Sequence, residues 1–492
     1  MHATFKKFGL VSSGILIGLL ISLNLTALAE KLGVPDLPVD DLRVFAEVYG
    51  KVKSDYVELV ADKKLIDEAL TGMLKGLDPH SAYMDKEAYK DLQAGTSGEF
   101  GGLGIEVTME DDLVKVVTPI EDSPAYKVGL KPGDLVMKLD DKHVRGMSLN
   151  DAVKIMRGKP GTEIVLTILR KKVDKPLTFT IKRDIIKSKS VKNKYIEKDY
   201  GYVRITQFQD HTGEDLAEAL IALEKENEEP LKGLVLDLRN NPGGLLDAAV
   251  GVSAAFLPKD KLVVYTEGRI ADSKMNLKTN ARDYARRGKS DYLRNVPESY
   301  KTTKIVVLLN AGSASASEIV AGALQDHKRA TILGVKSFGK GSVQTILPMN
   351  NGSAIKLTTA RYFTPNGRSI QAKGIEPDIN VGDGSDDSYR IYEADLAGHL
   401  SNPRDDSDAK DARNNDLKSE ATEMKKTAAE EEAKKAAALK KATEKKFAEP
   451  KGPIKPASKD DIQFVQAMNV LKGLPVEETP KEPIKKAEAT TK

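Results

Sequence analysis

The chain has 492 residues, of which 40% are hydrophobic, so it can form several domains with buried cores and is not disordered as a whole. Its 76 lysines and arginines nearly balance its 73 aspartates and glutamates, and a net charge of +3 gives no reason to expect a nucleic-acid partner. The absence of cysteine excludes disulfides, zinc–thiolate sites, iron–sulfur clusters and cysteine nucleophiles, and the six histidines form no HExxH zinc motif.

Residues 1–29 have the features of a secretory signal peptide. A short positive region at Lys6 and Lys7 precedes an uncharged apolar stretch, and the small residues Ala27 and Ala29 fit a cleavage site. This pattern predicts an exported protein, periplasmic or facing the periplasm at the inner membrane. The alternative is an uncleaved anchor, because the stretch is close to the shortest length that spans a bilayer, and membrane association through the N-terminus therefore stays open.

Residues 30–97 form a predicted N-terminal helical region. Over Asp40–Leu92 the apolar residues recur at three- and four-residue steps, as at Leu42, Phe45 and Val48. Short amphipathic helices of this kind can form a cap or a pairing surface. The protein could therefore form a homo-oligomer.

Residues 98–187 form a second predicted domain. It opens on the glycine-rich stretch Gly98–Gly104, which ends the helical pattern. A helix is predicted over Ser148–Arg157, with Ser148 as a typical N-cap. The predicted strands are Gly104–Met109, Leu113–Val117, Leu135–Leu139 and Glu163–Leu169.

Residues 188–383 alternate between strand and helix patterns, which predicts an α/β core with largely parallel strands. In such sheets the chemistry gathers at the carboxyl ends of the strands. The predicted strands are Gly201–Ile205, Gly233–Leu238 and Lys304–Leu309, and the predicted helices are Gly213–Glu226, Leu245–Phe256 and Ser315–Gln325.

The remaining chain is predicted to be a charged low-complexity linker over 384–457, followed by a short C-terminal helix and tail over 458–492. The linker is rich in Lys, Glu and Ala, a composition typical of a solvated or disordered segment. After it, Ile462, Val465 and Met468 recur at helical spacing, which indicates a short helix that docks on another surface.

The densest cluster of hydroxyls contains Ser313, Ser315 and Ser317. It stands between a predicted buried strand and a helix, where free backbone N–H groups and the helix dipole favour developing negative charge. With cysteine absent, these serines are candidate nucleophiles. The alternative is that they only cap the helix, since serine is a preferred N-cap residue. The residues alone do not show which of the three would be the nucleophile.

Lys340 lies between two glycines, just after a predicted strand. Burial can lower the pKa of a lysine from about 10.4 toward neutrality, so that its amine acts as general base for a serine. Gln344, four residues further on, is placed to orient this amine on a turn or a helix without adding charge. Gly334–Lys340 also resembles a phosphate-binding loop, but Gly341 stands where a magnesium-binding Ser or Thr is needed, so nucleotide binding is the weaker alternative.

A third candidate element is the turn that follows the predicted strand Gly233–Leu238. Gly243 and Gly244 can expose backbone N–H groups there, and with the N–H of Ala316 these would form an oxyanion hole. An ordinary strand-to-helix turn also uses such glycines.

Four ordered stretches together resemble the carboxy-terminal processing proteases, exported serine endopeptidases with a Ser-Lys dyad that is often extended by Gln. They are LDLRNNPGG from Leu236, NAGSASASEI from Asn310, SFGKGSVQ from Ser337 and YFTPNGRSIQAKGIEPDI from Tyr362. The stretch GLDPHSAY from Gly76 is similar to the N-terminal region of the family. The resemblance implies that Ser315 is the nucleophile, Lys340 the base and Gln344 the residue that positions the lysine, with no metal or cofactor.

The region from about residue 100 to residue 187 resembles a PDZ module. Gly102, Leu103, Gly104 and Ile105 match its carboxylate-binding loop, where backbone N–H groups hold the terminal carboxylate of a peptide. The adjacent strand of such a module pairs with the bound peptide.

The resemblance implies a multidomain α/β protein with a crotonase/ClpP-like serine protease core, a PDZ domain and an N-terminal helical region. It further implies cleavage of exported proteins near their C-termini, with unfolded or C-terminally exposed proteins as substrates and an apolar C-terminus held by the PDZ domain. The alternative is a catalytically silent PDZ-containing adaptor that only binds peptides.

Overall fold

The computed structural model of the protein describes residues 37–120, 122–171, 173, 175–285, 290–382, 390–404 and 455–479. The predicted signal peptide and the greater part of the predicted linker lie outside these ranges. The chain divides into two compact units, Met1–Leu70 and Thr71–Lys492. None of the helices within the described ranges combines the length and apolar character that a membrane span requires.

The first described elements are helices α1 (Val39–Asp55) and α2 (Asp62–Lys75), as the apolar periodicity predicts. The Asp62 carboxylate joins them, because it accepts a hydrogen bond from the Tyr49 hydroxyl at 2.7 Å and lies 2.7 Å from the Lys53 ammonium. No residue of α1 is buried.

The predicted helical stretch over Asp40–Leu92 is interrupted by a strand, β1 (Ala82–Met84), before helix α3 (Lys86–Ser97) begins. β1 pairs antiparallel with β18 (Ala354–Phe363). The helical prediction is wrong at β1 because three residues are too few to display the period-two alternation of a strand.

The next region is a small antiparallel domain whose ends are joined by the pairing of β2 (Glu99–Gly102) with β9 (Asp184–Lys187). Its sheet has the order β3-β4-β5-β7-β8, so β3 is an edge strand, and two short helices complete the domain. The strands are β3 (Ile105–Glu110), β4 (Leu113–Pro119), β5 (Leu135–Leu139), β6 (Lys142–His143, on β5), β7 (Glu163–Leu169) and β8 (Leu177–Lys182), and the helices are α4 (Pro124–Lys127) and α5 (Leu149–Met156).

The largest sheet has six strands in the order β10-β11-β12-β15-β16-β19. From β11 onward all neighbours are parallel, whereas β10 is antiparallel to β11, and the prediction of a largely parallel α/β core is confirmed. The strands are β10 (Val191–Glu197), β11 (Tyr200–Ile205), β12 (Gly233–Asp237), β15 (Lys304–Leu309), β16 (Thr331–Gly334) and β19 (Ile379–Asn380).

Helices cover both faces of this sheet, which is why its central strands read as continuous apolar runs. On β12, Leu234 and Leu236 belong to one apolar core and Val235 to another on the opposite face. The first core includes α6 (Thr212–Asn227), α7 (Leu246–Phe256) and α9 (Ala316–Asp326), and the second includes α10 (Ile462–Lys472).

A second, antiparallel sheet of five strands was not predicted. Its order is β1-β18-β13-β14, with β17 also paired to β18. The new strands are β13 (Leu262–Gly268), β14 (Asn276–Lys278) and β17 (Ser342–Pro348), and the one-turn helix α8 (Ala281–Tyr284) follows β14. Most residues of β17 are only half-buried or exposed, so the strand carries little apolar alternation for a sequence pattern to detect.

Residues 390–404 belong to the core, although the sequence predicts them as part of the linker over 384–457. The Glu393 side chain is fully buried, its N–H donates to the carbonyl of Phe338 at 3.0 Å, and the Asn402 amide donates to the carbonyl of Gln371 at 2.7 Å. The predicted end of the core at residue 383 is therefore too early for this segment. The polar composition of residues 390–404 is typical of a linker, because this segment is held in the core by buried hydrogen bonds rather than by apolar side chains.

Candidate active site

The three clustered serines occupy very different environments. The Ser313 hydroxyl is fully buried and donates to the carbonyl of Leu238 at 2.8 Å, and the fully buried Ser317 hydroxyl donates to the carbonyl of Asn241 at 2.9 Å. Ser315 is only partly buried. Of the three serines, Ser315 alone is not fully buried.

Ser315 also has an unusual backbone. It is the N-cap of α9, with φ 54° and ψ −113°. A residue other than glycine rarely adopts a positive φ, and such a conformation costs about 1–3 kcal/mol. Strain of this kind is typical of functional turns, and here it falls on the one serine of the cluster that is not fully buried.

Lys340 lies in the loop between β16 and β17, and its ammonium group contacts the Oε1 atom of Gln344. The Gln344 amide in turn donates to the hydroxyls of Ser342 at 3.1 Å and Thr358 at 3.2 Å. The sequence predicts this contact on a turn or a helix, but Gln344 lies on strand β17, next to an irregularity in the pairing with β18 after Val343.

The pKa of Lys340 is lowered to about 8, first by burial and second by the positive charge of Lys356, while the carboxylates of Glu393, Glu318 and Asp78 oppose the shift. Lys356 and Thr358 are two residues apart on β18 and so share a face of the strand. Because its pKa is lowered, a substantial fraction of the Lys340 amine is neutral near neutral pH.

We expect the rate of any reaction that uses the neutral Lys340 amine to rise with pH and to level off above about 8. Replacing Lys356 by Gln removes a positive charge, so the pKa of Lys340 rises and the midpoint of the kcat/KM profile moves to higher pH. Lys356→Arg keeps the charge and is the matched control. A midpoint that stays in place in Lys356→Gln would show that this charge does not act on the base.

A buried glutamate joins the serine loop to the lysine loop. The Glu318 Oε2 atom accepts hydrogen bonds from the N–H of Ser315 at 2.7 Å and the N–H of Lys340 at 3.0 Å. Its Oε1 atom accepts from the Ser337 hydroxyl at 2.6 Å and the Gly339 N–H at 2.7 Å. Burial raises the pKa of Glu318 to about 7, although these four donors favour the ionised form.

Tyr362 makes a second connection between the same two loops. Its hydroxyl donates to the carbonyl of Lys340 and lies within hydrogen-bonding reach of the Ser315 side chain. The ring is almost fully buried. Neither Tyr362 nor Glu318 was assigned a role from the sequence, although both lie inside motifs that carry the family resemblance.

The N–H groups of the loop before β17 also bear on the nucleotide alternative. In a phosphate-binding loop these groups point at the ligand. Here the N–H groups of Gly339 and Lys340 donate to Glu318, and that of Phe338 donates to the carbonyl of Ser313 at 3.0 Å. A protein carboxylate occupies the position that a phosphate would need, which argues against nucleotide binding.

The glycine turn, Asn240–Gly244, lies directly against the serine loop. A Cβ atom added to Gly243 would stand 2.7 Å from the Ser315 Cβ and 2.9 Å from the Ala316 nitrogen. The Gly243 N–H donates to the Asn241 side chain at 2.9 Å, whereas the hydrogen bonds of the described residues include none from the N–H of Gly244 or Ala316. The three predicted oxyanion residues are thus brought together, with Gly243 already engaged.

A further set of polar residues, not identified from the sequence, extends from this site. Asp78 accepts a hydrogen bond from Thr358 at 3.1 Å, and His80 lies 2.8 Å from the buried Glu393 carboxylate. Asp78 and His80 belong to the GLDPHSAY stretch, whose resemblance was the one available signal. Within the described ranges, no three His, Asp or Glu side chains gather as a metal site would require.

In the small antiparallel domain, Gly102, Leu103, Gly104 and Ile105 connect β2 to the edge strand β3. The carbonyl of Gly104 accepts hydrogen bonds from the Ser123 hydroxyl at 3.0 Å and the Ile120 N–H at 2.8 Å. These hydrogen bonds fix the loop. Beside it, one edge of β3 is not paired with any other strand that the structure describes.

Comparisons with known proteins agree with this architecture. Residues 199–381 match the model of peptidase family S41, residues 101–182 match a PDZ domain, and residues 26–88 match the N-terminal domain of the activating protease CtpB. The small antiparallel domain is thus a PDZ domain.

Two curated relatives and one solved structure give the extent of the similarity. The carboxy-terminal-processing protease of Bartonella bacilliformis is 50% identical over 362 residues, covering 72% of this chain and 80% of the relative. The carboxy-terminal processing protease CtpA of Bacillus subtilis is 35% identical over 384 residues, covering 77% and 78%. The solved photosystem II D1 C-terminal processing protease is 29% identical, covers 68% of this chain and 85% of its own, and has a TM-score of 0.38. The chain belongs to the carboxy-terminal processing proteases of peptidase family S41, which are serine peptidases.

Proposed function

We propose that this protein is a serine endopeptidase that cleaves exported proteins near their C-termini, with Ser315 as nucleophile, Lys340 as general base and Gln344 as the residue that orients the lysine. The observation that carries the proposal is the convergence on Glu318: one buried carboxylate oxygen binds the N–H groups of both Ser315 and Lys340. The partly exposed hydroxyl and the amine with the lowered pKa thus belong to one site.

In the proposed mechanism, neutral Lys340 accepts the proton of the Ser315 hydroxyl as its oxygen attacks the scissile carbonyl. The N–H of Ala316, with that of Gly244 or Gly243, stabilises the negative oxygen of the tetrahedral intermediate. The Lys340 ammonium then donates its proton to the leaving amine, which departs and leaves an acyl-enzyme on Ser315. Lys340 next takes a proton from water, whose oxygen attacks the ester. It returns that proton to the Ser315 oxygen as the acyl bond breaks, which releases the acid and restores the free serine and the neutral amine. No cofactor enters these steps.

Gln344 suits a lysine base because its amide binds the amine without adding a negative charge, which would hold the amine protonated. The hydroxyls of Ser342 and Thr358 fix this amide. Gln344 is therefore proposed as a positioning residue.

The experiment that tests the function is incubation of the full chain with an unfolded exported protein that ends in apolar residues, followed by mass spectrometry of the products. We expect wild type to cut near the C-terminus and Ser315→Ala to bind the substrate without cutting it. Binding without cleavage by wild type would instead support the catalytically silent adaptor.

We propose that the PDZ domain holds the apolar C-terminus of the substrate beside β3. The strand is at the edge of its sheet, and its half-buried residues, among them Ile105 and Val107, alternate with the exposed residues Glu106 and Thr108. An added peptide strand would gain main-chain hydrogen bonds from β3 and apolar contacts from the half-buried side chains.

Val107→Glu places a charge among the half-buried apolar side chains of β3, and we expect it to raise KM roughly tenfold for a substrate with an apolar C-terminus, with kcat unchanged. Thr108→Glu adds the same charge on the opposite face of the strand and should leave KM unchanged. Steady-state kinetics on both variants check this. Equal KM values for Val107→Glu and wild type would exclude capture at β3.

We also propose that residues 1–29 direct export to the periplasm, with the N-terminus either cleaved or retained at the inner membrane. Cell fractionation tests this proposal.

The N-terminal helices are proposed as a pairing surface for a second copy of the chain, because no residue of α1 is buried and Val44 and Val48 are 60% and 56% exposed. Sedimentation of wild type against Val44→Glu tests this proposal.

A further inference from the structure

The C-terminal segment, residues 455–479, returns to the protease core after residues 405–454 of the chain. Helix α10 packs on the six-stranded sheet, where Phe464 meets the Tyr202 ring edge-on with centroids 5.7 Å apart. Beyond the helix, the Thr479 N–H donates to the carbonyl of Asn380 at 2.8 Å, at the edge of the same sheet. The segment is therefore an integral part of the fold.

One residue of this segment makes an extensive contact with Arg239, which lies between strand β12 and the glycine turn. Asp461 binds the Arg239 guanidinium with both oxygens, each at 2.7 Å, and Gln463 accepts a third hydrogen bond from it at 3.1 Å. On its other side Arg239 donates to both oxygens of Asp237, at 2.9 and 2.7 Å. All these side chains are nearly or fully buried, so the ion pair is little screened by solvent.

Arg239 directly precedes the glycine turn. The next residue, Asn240, has φ 55° and exchanges two hydrogen bonds of 2.9 Å with Asn310, which stands at the start of the serine loop. Three residues further on, Gly243 lies against Ser315 and Ala316. A shift of Arg239 would therefore change where the turn holds its N–H groups relative to the nucleophile.

We propose that Asp461 is a positioning residue for the glycine turn: by fixing Arg239 it holds Asn240–Gly244 against the Ser315 loop, so that the C-terminal segment acts as a built-in activator of the peptidase. This inference rests on the proposed roles of Ser315 and the glycine turn. It assigns a role in catalysis to a segment far along the chain from the serine and the lysine.

The test compares wild type with Asp461→Asn and with Phe464→Leu, all in the full chain. Asn keeps the size of Asp461 and remains a good N-cap for α10, so the helix can stay in place while the charge pairing with Arg239 is lost. Phe464→Leu weakens the packing of the same helix without touching Arg239. The measurements are kcat, KM and the pH profile on an unfolded substrate, with amide hydrogen exchange over 462–472 to report docking of the helix.

We expect Asp461→Asn to lower kcat about tenfold with KM unchanged, a smaller loss than the 10²–10³ expected for complete removal of an oxyanion donor. The pH midpoint set by Lys340 should not move, because the charges that shift the pKa of that amine most are those of Lys356, Glu393, Glu318 and Asp78. Phe464→Leu should lose exchange protection in α10 and keep kcat within about twofold.

A wild-type kcat in Asp461→Asn overturns the proposal. A second contrary result is a loss of kcat that matches the loss of exchange protection in α10 to the same degree in both variants, because Asp461 would then have no role of its own. A third is a shifted pH midpoint, which would show that the substitution acts on the base. Failure of the proposed function is a separate outcome, because it would be seen as a wild type that does not cleave or as a Ser315→Ala variant that retains activity.

Discussion

We expect Lys340→Met to reduce kcat roughly 10⁴- to 10⁶-fold, the range found when the general base of a serine peptidase is removed. Methionine has nearly the length of lysine and no polar terminus, so it fits the partly buried site while removing the amine that contacts Gln344. Burial already disfavours the charged lysine, as its lowered pKa records. The substitution is therefore not expected to destabilise the fold, and thermal unfolding should confirm this.

The double variant Ser315→Ala/Lys340→Met gives a sharper test of the same mechanism. Residues that act as one unit are not additive, so the double variant should be no slower than the slower single variant. Lys336→Met, four residues earlier and also partly buried, is the control and should keep kcat within about twofold of wild type. If Lys340→Met keeps more than about a tenth of the wild-type kcat, the amine cannot be the base in the rate-limiting step.

The serine cluster shows how far a sequence can go toward a site. Strand, small residues and helix predict a reactive loop near residue 315, but the choice among the serines depends on hydrogen bonds and one backbone angle. Ser313 and Ser317 use their hydroxyls to hold the carbonyls of Leu238 and Asn241. Those partners are distant in the chain, so no local pattern reveals them.

The lysine loop gives the opposite result. The predicted contact between Lys340 and Gln344 is present, but it is made from a strand and not from the predicted turn or helix. The four-residue spacing of Lys340 and Gln344 is helical, whereas Gln344 lies on strand β17, next to an irregularity in its pairing with β18. Such irregularities arise from the fit of two strands and leave no mark in either one. Glu318, which has no role assigned from the sequence, is similar. It completes a capping box with Ser315 in the structure, but its bonds to the lysine loop need the folded chain.

Gly243→Ala is the second substitution expected to have a large effect, with kcat falling about 10²- to 10³-fold, as for the loss of one oxyanion donor. Gly243 has φ 100°, which alanine adopts only with strain. Its new Cβ would stand 2.7 Å from the Ser315 Cβ, 2.8 Å from the carbonyl oxygen of Ala314 and 2.9 Å from the Ala316 nitrogen. No real Cβ tolerates such distances, so either the turn or the serine must move.

Strain and collision can be separated with a matched glycine. Gly133 in the PDZ domain has φ 88° and no neighbour within 4 Å of an added Cβ, so Gly133→Ala carries the backbone strain, about 1–3 kcal/mol of stability, without the collision. We expect both variants to lower the unfolding temperature and only Gly243→Ala to lower kcat at unchanged KM. If Gly243→Ala loses stability and keeps its kcat, the collision is absorbed elsewhere and the turn does not hold the oxyanion. Because the colliding atoms belong to Ser315 and the N–H that follows it, a loss of kcat would place the nucleophile and the glycine turn in one catalytic unit.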